Sequence, residues 1–568
     1  MKKTLLTGAA LCFALSLSAQ ASLPTPEVVT NDYDRNSISI VVVDRGDKLD
    51  DMVTKAVFGI NTGEKFDKNT IPTCHFMVDS VRKSKVAPQA VASCMNGSHI
   101  GNEIVKFWLT VDNSGMMTGS KVESRGLYNA DDQDVENANA SQIGEAALMD
   151  AGYDLINNSY VIVMDCSNFE EGVTEKKQLK EGSLTEMETI KVPNISATST
   201  LMVYKIDFSE DQTNEFYDKC WIDSDTPESE IAARKAAFEA MSIPMVPVST
   251  ATSTKKVEYE KMGDKDQKDA ALRKAIEGSY FGCIYTLEKN IEAWKVKVPV
   301  YDVKPIRAKV GTKEGLKNTA RYMAYETVRK KDAEGNSVDV SVKRGYVRAT
   351  KVANNSSVAD GQSPMSEFYQ ISHVANIKPN QTLKQANDLA MGITAAYSTN
   401  PMAPINVTID YLMNMKTNGT STYSIVDISY KSLSADELSD NGISTTGIYS
   451  EGISFIGAGV GAGIGLRAGR SLEIVPNVIV GGDYMQATSQ LDTEESDEAM
   501  MDKIAWYGKV GAKVNITVAY PLQIVAGIDY SMIVSEGAWY EYNNSVLTEC
   551  GIGREGGLGI SIGLKYIF

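Results

Sequence analysis

Few side chains in this chain of 568 residues are spaced like reacting groups. Cys74 and His75 set a thiol beside an imidazole, the pairing of a nucleophile with its base. Adjacent residues of an extended segment point to opposite faces, so this pair has poor geometry for a dyad. The glycines alternating from Gly457 to Gly465 superficially suggest a phosphate loop. Their period is two and no helix follows, which fits glycines on one face of a strand. Asp492, Glu494, Glu495, Asp497, Glu498 and Asp502 offer oxygen ligands that suit calcium or magnesium, but not at the spacing of an EF-hand loop. They read as a solvated loop, or as a divalent bridge to anionic headgroups. Three histidines, His75, His99 and His373, are too few for a multi-histidine metal centre. No Walker A, H-E-x-x-H or G-x-S-x-G pattern occurs. No catalytic residue, cofactor or bound metal is therefore expected.

Composition narrows the class further. With 56 basic and 73 acidic residues the net charge is −17, and no basic face exists to meet nucleic acid. A mean hydropathy of −0.20 excludes a bundle of membrane helices but not a barrel, whose lipid-facing residues alternate with polar ones. Lys2 and Lys3, an apolar run over 5–17 and Ala19-Gln20-Ala21 form a secretory leader over 1–21, removed together with Cys12. Six cysteines then remain, Cys74, Cys94, Cys166, Cys220, Cys283 and Cys550. Export permits disulfides, with Cys74 and Cys94 the closest-spaced pair, but no C-x-x-C occurs.

What must be positioned is clearest over 387–568. Apolar residues recur there at every second place in eight segments, near 389–398, 405–413, 422–430, 456–466, 472–485, 506–520, 522–533 and 558–568. A soluble β-sandwich would also alternate. Most of these segments are long enough to cross a bilayer at a tilt, whereas soluble strands average about five or six residues. Their second face carries glycine and charges of both signs. Short turns at 414–421, 467–471 and Pro521 alternate with mostly longer loops at 399–404, 431–452, 486–505 and 534–556, as in membrane barrels. Tyr397, Tyr411, Tyr430, Phe455, Tyr484, Trp506, Tyr520, Tyr530 and Tyr566 sit near strand ends like an aromatic girdle. Asp410, Asp427, Glu473, Asp483, Lys509, Lys513, Asp529 and Lys565 point inward and form a polar interior network. Trp539, Tyr540, Tyr542, Asn543 and Asn544 are candidates for contact with a surface partner.

The closing strand, with Ile560, Ile562, Leu564, Tyr566 and Phe568 at alternate places, resembles the terminal signal of bacterial outer-membrane barrels. The strand count resembles the small OmpA and OmpX type. That resemblance implies recognition by the barrel-assembly machinery and contact with outer-membrane lipid. The order differs from OmpA, since the periplasmic part comes first, and no counterpart of the OmpA peptidoglycan-binding motif is present.

Residues 22–386 read as mixed. Residues 22–225 form a periplasmic α/β domain, with strands near 37–43, 104–111, 159–165 and 198–208 and helices near 48–59 and 131–156. Residues 226–291 form a helical segment and linker, with helices near 227–241 and 265–277 and a loop or linker over 242–254. Ser279-Tyr280 and the apolar run after it echo Ser159-Tyr160, which raises a duplicated unit. Residues 292–386 form a small, closed β-rich domain with strands near 296–303, 306–310, 320–328, 338–342 and 345–352. The fold class is thus α+β, with α/β and β-rich periplasmic domains preceding an eight-stranded antiparallel transmembrane β-barrel. The expected function is non-enzymatic: an outer-membrane protein whose periplasmic part has an architectural, anchoring or assembly role through contacts with an unidentified protein. The alternatives are a surface-binding or adhesion protein acting through the outer loops, and a periplasmic enzyme tethered by a barrel.

Overall fold

The computed structural model describes residues 36–78, 84, 86–112, 115–119, 121, 156–179, 187–331, 336–356, 364–372, 375–400, 402, 404–445, 449–487 and 501–568. The leader, His373, acidic residues 492–498 and nearly all of the helix expected over 131–156 lie outside these.

The first unit is a three-layer sandwich. Its sheet runs β2 (Asp67–Lys68), β1 (Ser37–Asp44), β4 (Ser159–Leu179), β5 (Met187–Ile206) and β6 (Met245–Glu258), with β3 (His75–Met77) also pairing β1. Residues 160–164 of β4 are buried without a break because helices cover both faces. On one face α2 (Pro88–Gly97), α3 (Ile100–Trp108), α4 (Glu210–Lys219) and α5 (Glu228–Ala240) pack Met95, Trp108, Phe216 and Phe238 against Val161, Val163 and Met202. On the other, α1 (Asp50–Phe58) and α6 (Lys265–Asn290) pack Val53, Ile276, Tyr280 and Leu287 against Ile162, Leu201 and Val203.

Three expectations fail here because local composition does not fix the element that a segment adopts. The strand expected over 104–111 is α3, since Ile100, Ile104, Val105 and Trp108 recur at helical spacing. Residues 242–254 contain the start of β6 instead of a linker, because β-branched residues dominate and Pro247 is tolerated on an edge strand. Residues 226–291 thereby belong to the first unit, β6 in its sheet and α5 and α6 on its two faces. Residues 279–285 lie inside α6, so their likeness to 159–165 is no structural repeat.

The second unit is a seven-stranded sheet in the order β7 (Lys297–Pro299), β13 (Thr382–Gln385), β10 (Arg321–Lys331), β11 (Ser337–Lys351), β12 (Ser366–Gln370), β9 (Ile306–Ala308) and β8 (Asp302–Val303). It wraps a core of Val298, Ile306, Tyr322, Val347, Phe368 and Leu383. The closed module expected here is an open sheet, and the two strands expected over 338–352 are the single strand β11.

The third unit comprises β14 (Met391–Ser398), β15 (Ile405–Met415), β16 (Ser421–Leu433), β17 (Ile453–Arg467), β18 (Leu472–Ala487), β19 (Ile504–Ala519), β20 (Leu522–Glu536) and β21 (Gly557–Ile567). All neighbours are antiparallel, and β14 pairs β21 from Gly392↔Ile567 to Ser398↔Ser561, which closes the ring. Two outer loops contain helices, α7 (Ala435–Asp440) and α8 (Ala538–Glu549), which the alternation gave no hint of.

None of the six cysteines is in a disulfide. His75 Nδ1 lies 3.0 Å from an Asp44 oxygen and its ring packs edge-on to Phe58, so it serves the fold of the first unit.

Candidate functional site

The eight ionisable residues expected to point inward do so, because each occupies the alternation phase opposite the apolar residues. Val426, Val460, Val480, Val510, Ile528 and Ile562 are exposed on the outer wall. Inside, Lys565 pairs with Asp410 and Lys509 with Asp427. Asp427 also accepts from Asn406 Nδ2 at 2.7 Å and from Thr408 Oγ1 at 3.3 Å, and Lys513 Nζ donates to that threonine at 2.9 Å. Asn400 Nδ2, on the first outer loop, donates to Asp529 at 2.6 Å. Glu473 accepts from Tyr423 Oη at 2.9 Å and pairs with Arg467 at 3.2 Å. Asp483 pairs with Arg554 at 3.1 Å and accepts from Tyr540 Oη at 2.7 Å.

Arg467 and Arg554 were not anticipated as interior residues. The signal for them was a charge imbalance: five interior acids (Asp410, Asp427, Glu473, Asp483, Asp529) face only three lysines (Lys509, Lys513, Lys565), leaving two acids over. Charges in a confined interior need partners. Each arginine answers one of the unmatched acids: Arg467 continues the phase of Gly465 just past the expected strand end at 466, and Arg554 lies in a loop, where alternation assigns no side.

The glycine face of β17 has a packing cause. A Cβ on Gly461 would stand 2.1 Å from the Val478 carbonyl oxygen, and one on Gly459 would stand 2.9 Å from the Tyr507 hydroxyl. Side chains from neighbouring strands, Ile425, Ile479 and Tyr507 among them, fold across this bare wall. Among the described residues side chains fill the closed eight-stranded ring down to small voids beside Asp410 and Lys565 and beside Lys509 and Asp529, too little room for a solute channel. The C-terminal segment has the architecture of the small eight-stranded outer-membrane barrels.

Comparison with known proteins adds likeness at low identity. No protein-family description and no curated protein matches the chain. Among solved structures, the Yersinia pestis outer membrane protein Ail in a phospholipid nanodisc is 14% identical, over 31% of this chain and 98% of Ail, with a TM-score of 0.19. Ail in complex with the heparin analogue sucrose octasulfate is 13% identical over 31% of this chain and 95% of Ail, with a TM-score of 0.20. The β domain of the Bordetella autotransporter BrkA is 8% identical over 70% of this chain and 98% of that domain, with a TM-score of 0.15.

Both mouths of the barrel are covered. At the outer one, Leu438, Phe455, Met485, Tyr540 and Leu547 form an apolar cap. This corrects two expectations. Tyr540, Asn543 and Asn544 are buried in the cap instead of offered to a partner, because α8 folds down onto the mouth; Tyr542 alone of that cluster is largely exposed. Phe455 faces the cap and not the lipid, unlike Tyr397, Tyr411, Tyr430, Trp506, Tyr530 and Tyr566, which are exposed on the outer wall. Ile560, Ile562, Leu564, Tyr566 and Phe568 are exposed there too.

At the inner mouth the second unit sits against the turns. Tyr346 of β11 stacks on Tyr520 with ring centroids 3.8 Å apart. Arg348 grips both oxygens of Asp388, at 2.6 and 3.0 Å, and Arg321 lies 3.5 Å from the same carboxylate. Arg321 also bonds Tyr520 and the Asn387 carbonyl. Burial pulls the Arg321 guanidinium below its usual range, partly offset by the Asp388 charge. Tyr369 and Asn376 reach the turn after β17, at Gly469 and Arg470.

Proposed function

We propose that this chain is a non-enzymatic outer-membrane protein, in which a plugged barrel holds a large periplasmic part for an architectural or assembly role. The observation that carries this reading is the junction at the inner mouth. Asp388 lies between two arginines of the second unit and Tyr520 under an aromatic ring of the same unit, contacts that tie that unit to the barrel beyond the connecting chain. A rigid mount suits a scaffold. A covered, charge-filled barrel suits solute passage poorly. The exposed apolar wall supports lipid of the outer membrane as its surroundings and the barrel-assembly machinery as the partner that inserts it. Burial of Tyr540, Asn543 and Asn544 in the cap favours contacts through residues 36–386 over contacts at the cell surface. Two measurements test this. Planar bilayers should give no conductance above background. Copurification of a partner should be lost on deleting 36–386 and kept on trimming the outer loops; the reverse pattern would assign the protein to surface binding.

A further inference from the structure

Strand β6 ends the first sheet, and among the described residues its outer edge meets no other strand. Among the described residues its backbone bonds run to β5, apart from two between Met245 and the Asn96 side chain. It is 14 residues long, and such an edge is a ready template for another strand.

Helix α6 runs beside this edge. Gly278 and Gly282 face β6 closely: a Cβ on them would stand 2.6 Å from the Lys255 side chain and 2.2 Å from Ser253. Phe281 and Tyr285, each three residues after one of these glycines, occupy the adjoining flank and are 49% and 50% exposed. Val246 and Val248 on β6 itself are exposed as well. Exposed apolar side chains therefore lie beside a strand edge whose peptide groups, past Met245, meet no second strand among the described residues.

The rim of the edge is basic. Lys205, Lys255, Lys256, Lys274 and Lys289 have no ion-pair partner among the described residues, and Lys289 Nζ rests 3.8 Å from the centre of the Tyr285 ring. Glu258, at the end of the strand, is held by Lys176 at 2.5 Å.

We propose that β6 is a docking strand, to which an extended, acidic, alternately apolar segment of a partner protein adds. Main-chain bonds to the edge would supply affinity, and on the α6 side apolar side chains of the segment would meet Phe281 and Tyr285 while its carboxylates meet Lys255, Lys274 and Lys289. A second copy of this chain is the weaker occupant, since pairing would set one lysine-rich rim against another. This deepens the protein-contact role proposed above and rests on it.

The test uses the full chain in detergent, titrated into a fluorescein-labelled peptide of alternating glutamate and valine and read by anisotropy. Saturable binding is expected, with slowed amide exchange over 246–256. Affinity should fall by about tenfold or more for Lys255→Glu/Lys256→Glu and for Phe281→Ser/Tyr285→Ser. It should fall similarly for a lysine–valine peptide and for a glutamate–valine peptide N-methylated on its backbone. Circular dichroism and the heat-dependent gel shift confirm that the variants are folded. Absence of saturable binding, or equal binding by all variants and peptides, would overturn the proposal. So would a concentration-dependent dimer abolished by Lys255→Glu, which would give the edge to a second copy. Detergent leaves every face accessible, so a failure here is separate from a failure of the periplasmic placement, which a protease experiment on cells reads.

Discussion

Arg554 and Asp483 meet at 3.1 Å inside the outer mouth, and neither side chain is reached by solvent. Arg554 comes from the loop after α8, whereas Asp483 belongs to the wall strand β18, so the pair ties the cap to the wall. Removing one member strands the other charge in a dry site, a loss of about 3–5 kcal/mol. Arg554→Leu should therefore lower the temperature at which the folded form is lost on unboiled gels. The double variant Arg554→Leu/Asp483→Leu should recover much of that loss. Equal loss in the single and double variants would mean that the pair contributes nothing through its charge.

From Gly457 to Gly465 the inner face of β17 is bare, and neighbouring groups fill the space a side chain would need. Gly461→Val would force atoms into the Val478 carbonyl, whose oxygen already lies 2.1 Å from an ideal Cβ. The next residue, Ala462, faces outward and is exposed. Refolding yield into detergent should collapse for Gly461→Val and stay near wild type for Ala462→Val. This part of the fold was readable from sequence, since a period of two fixes the side of every strand residue once one face is apolar. The phase is silent in loops, which hides Arg554, whereas Arg467 keeps the inward phase of Gly465 and lies one residue beyond the expected strand end at 466. The phase also fails for short apolar runs such as 104–108, where helix and strand share composition and only the four-residue spacing of Ile100, Ile104 and Trp108 decides.

The junction at the inner mouth makes a second mechanical statement. Asp388→Ala removes the carboxylate shared by Arg321 and Arg348 and leaves both guanidinium groups with fewer partners. Limited trypsin digestion should then separate the barrel from residues 36–386 several-fold faster, with the barrel's own gel shift unchanged. Unchanged cleavage would show that the aromatic stack of Tyr346 on Tyr520 suffices. Neither arginine was foreseen, because contacts between units have no periodicity in the chain.

Glu292 supplies a pH dependence. Burial alone would raise its carboxyl, but bonds from Lys295 and Lys384 and their charges outweigh this and hold it below the usual 4.5. A depressed folded value means that its contribution is present above the unfolded value and is lost as pH falls below about 4.5 toward the folded one. Glu292→Gln should accordingly flatten the drop in melting temperature of residues 36–386 between pH 6 and pH 3. An undiminished drop would place the acid sensitivity elsewhere.

Thiol reactivity offers a test of the α/β core. Burial pushes the Cys283 thiol up to about 11 and raises Cys220 as well, while Cys94 is exposed on α2. At pH 8 iodoacetamide should label Cys94 in the folded chain and leave Cys220 and Cys283 unlabelled until denaturant is added. Early labelling of Cys283 would contradict its place beneath α6.

The most direct test of the whole account combines gel mobility with topology. Unboiled protein from isolated outer membranes should migrate faster than boiled protein. Protease should spare the chain in intact cells but, after the outer membrane is permeabilised, digest residues 36–386 and leave a membrane-held fragment of about 387–568. Recovery of the protein in the soluble periplasm without any mobility shift, or digestion of 36–386 in intact cells, would contradict a periplasmic scaffold mounted on a barrel.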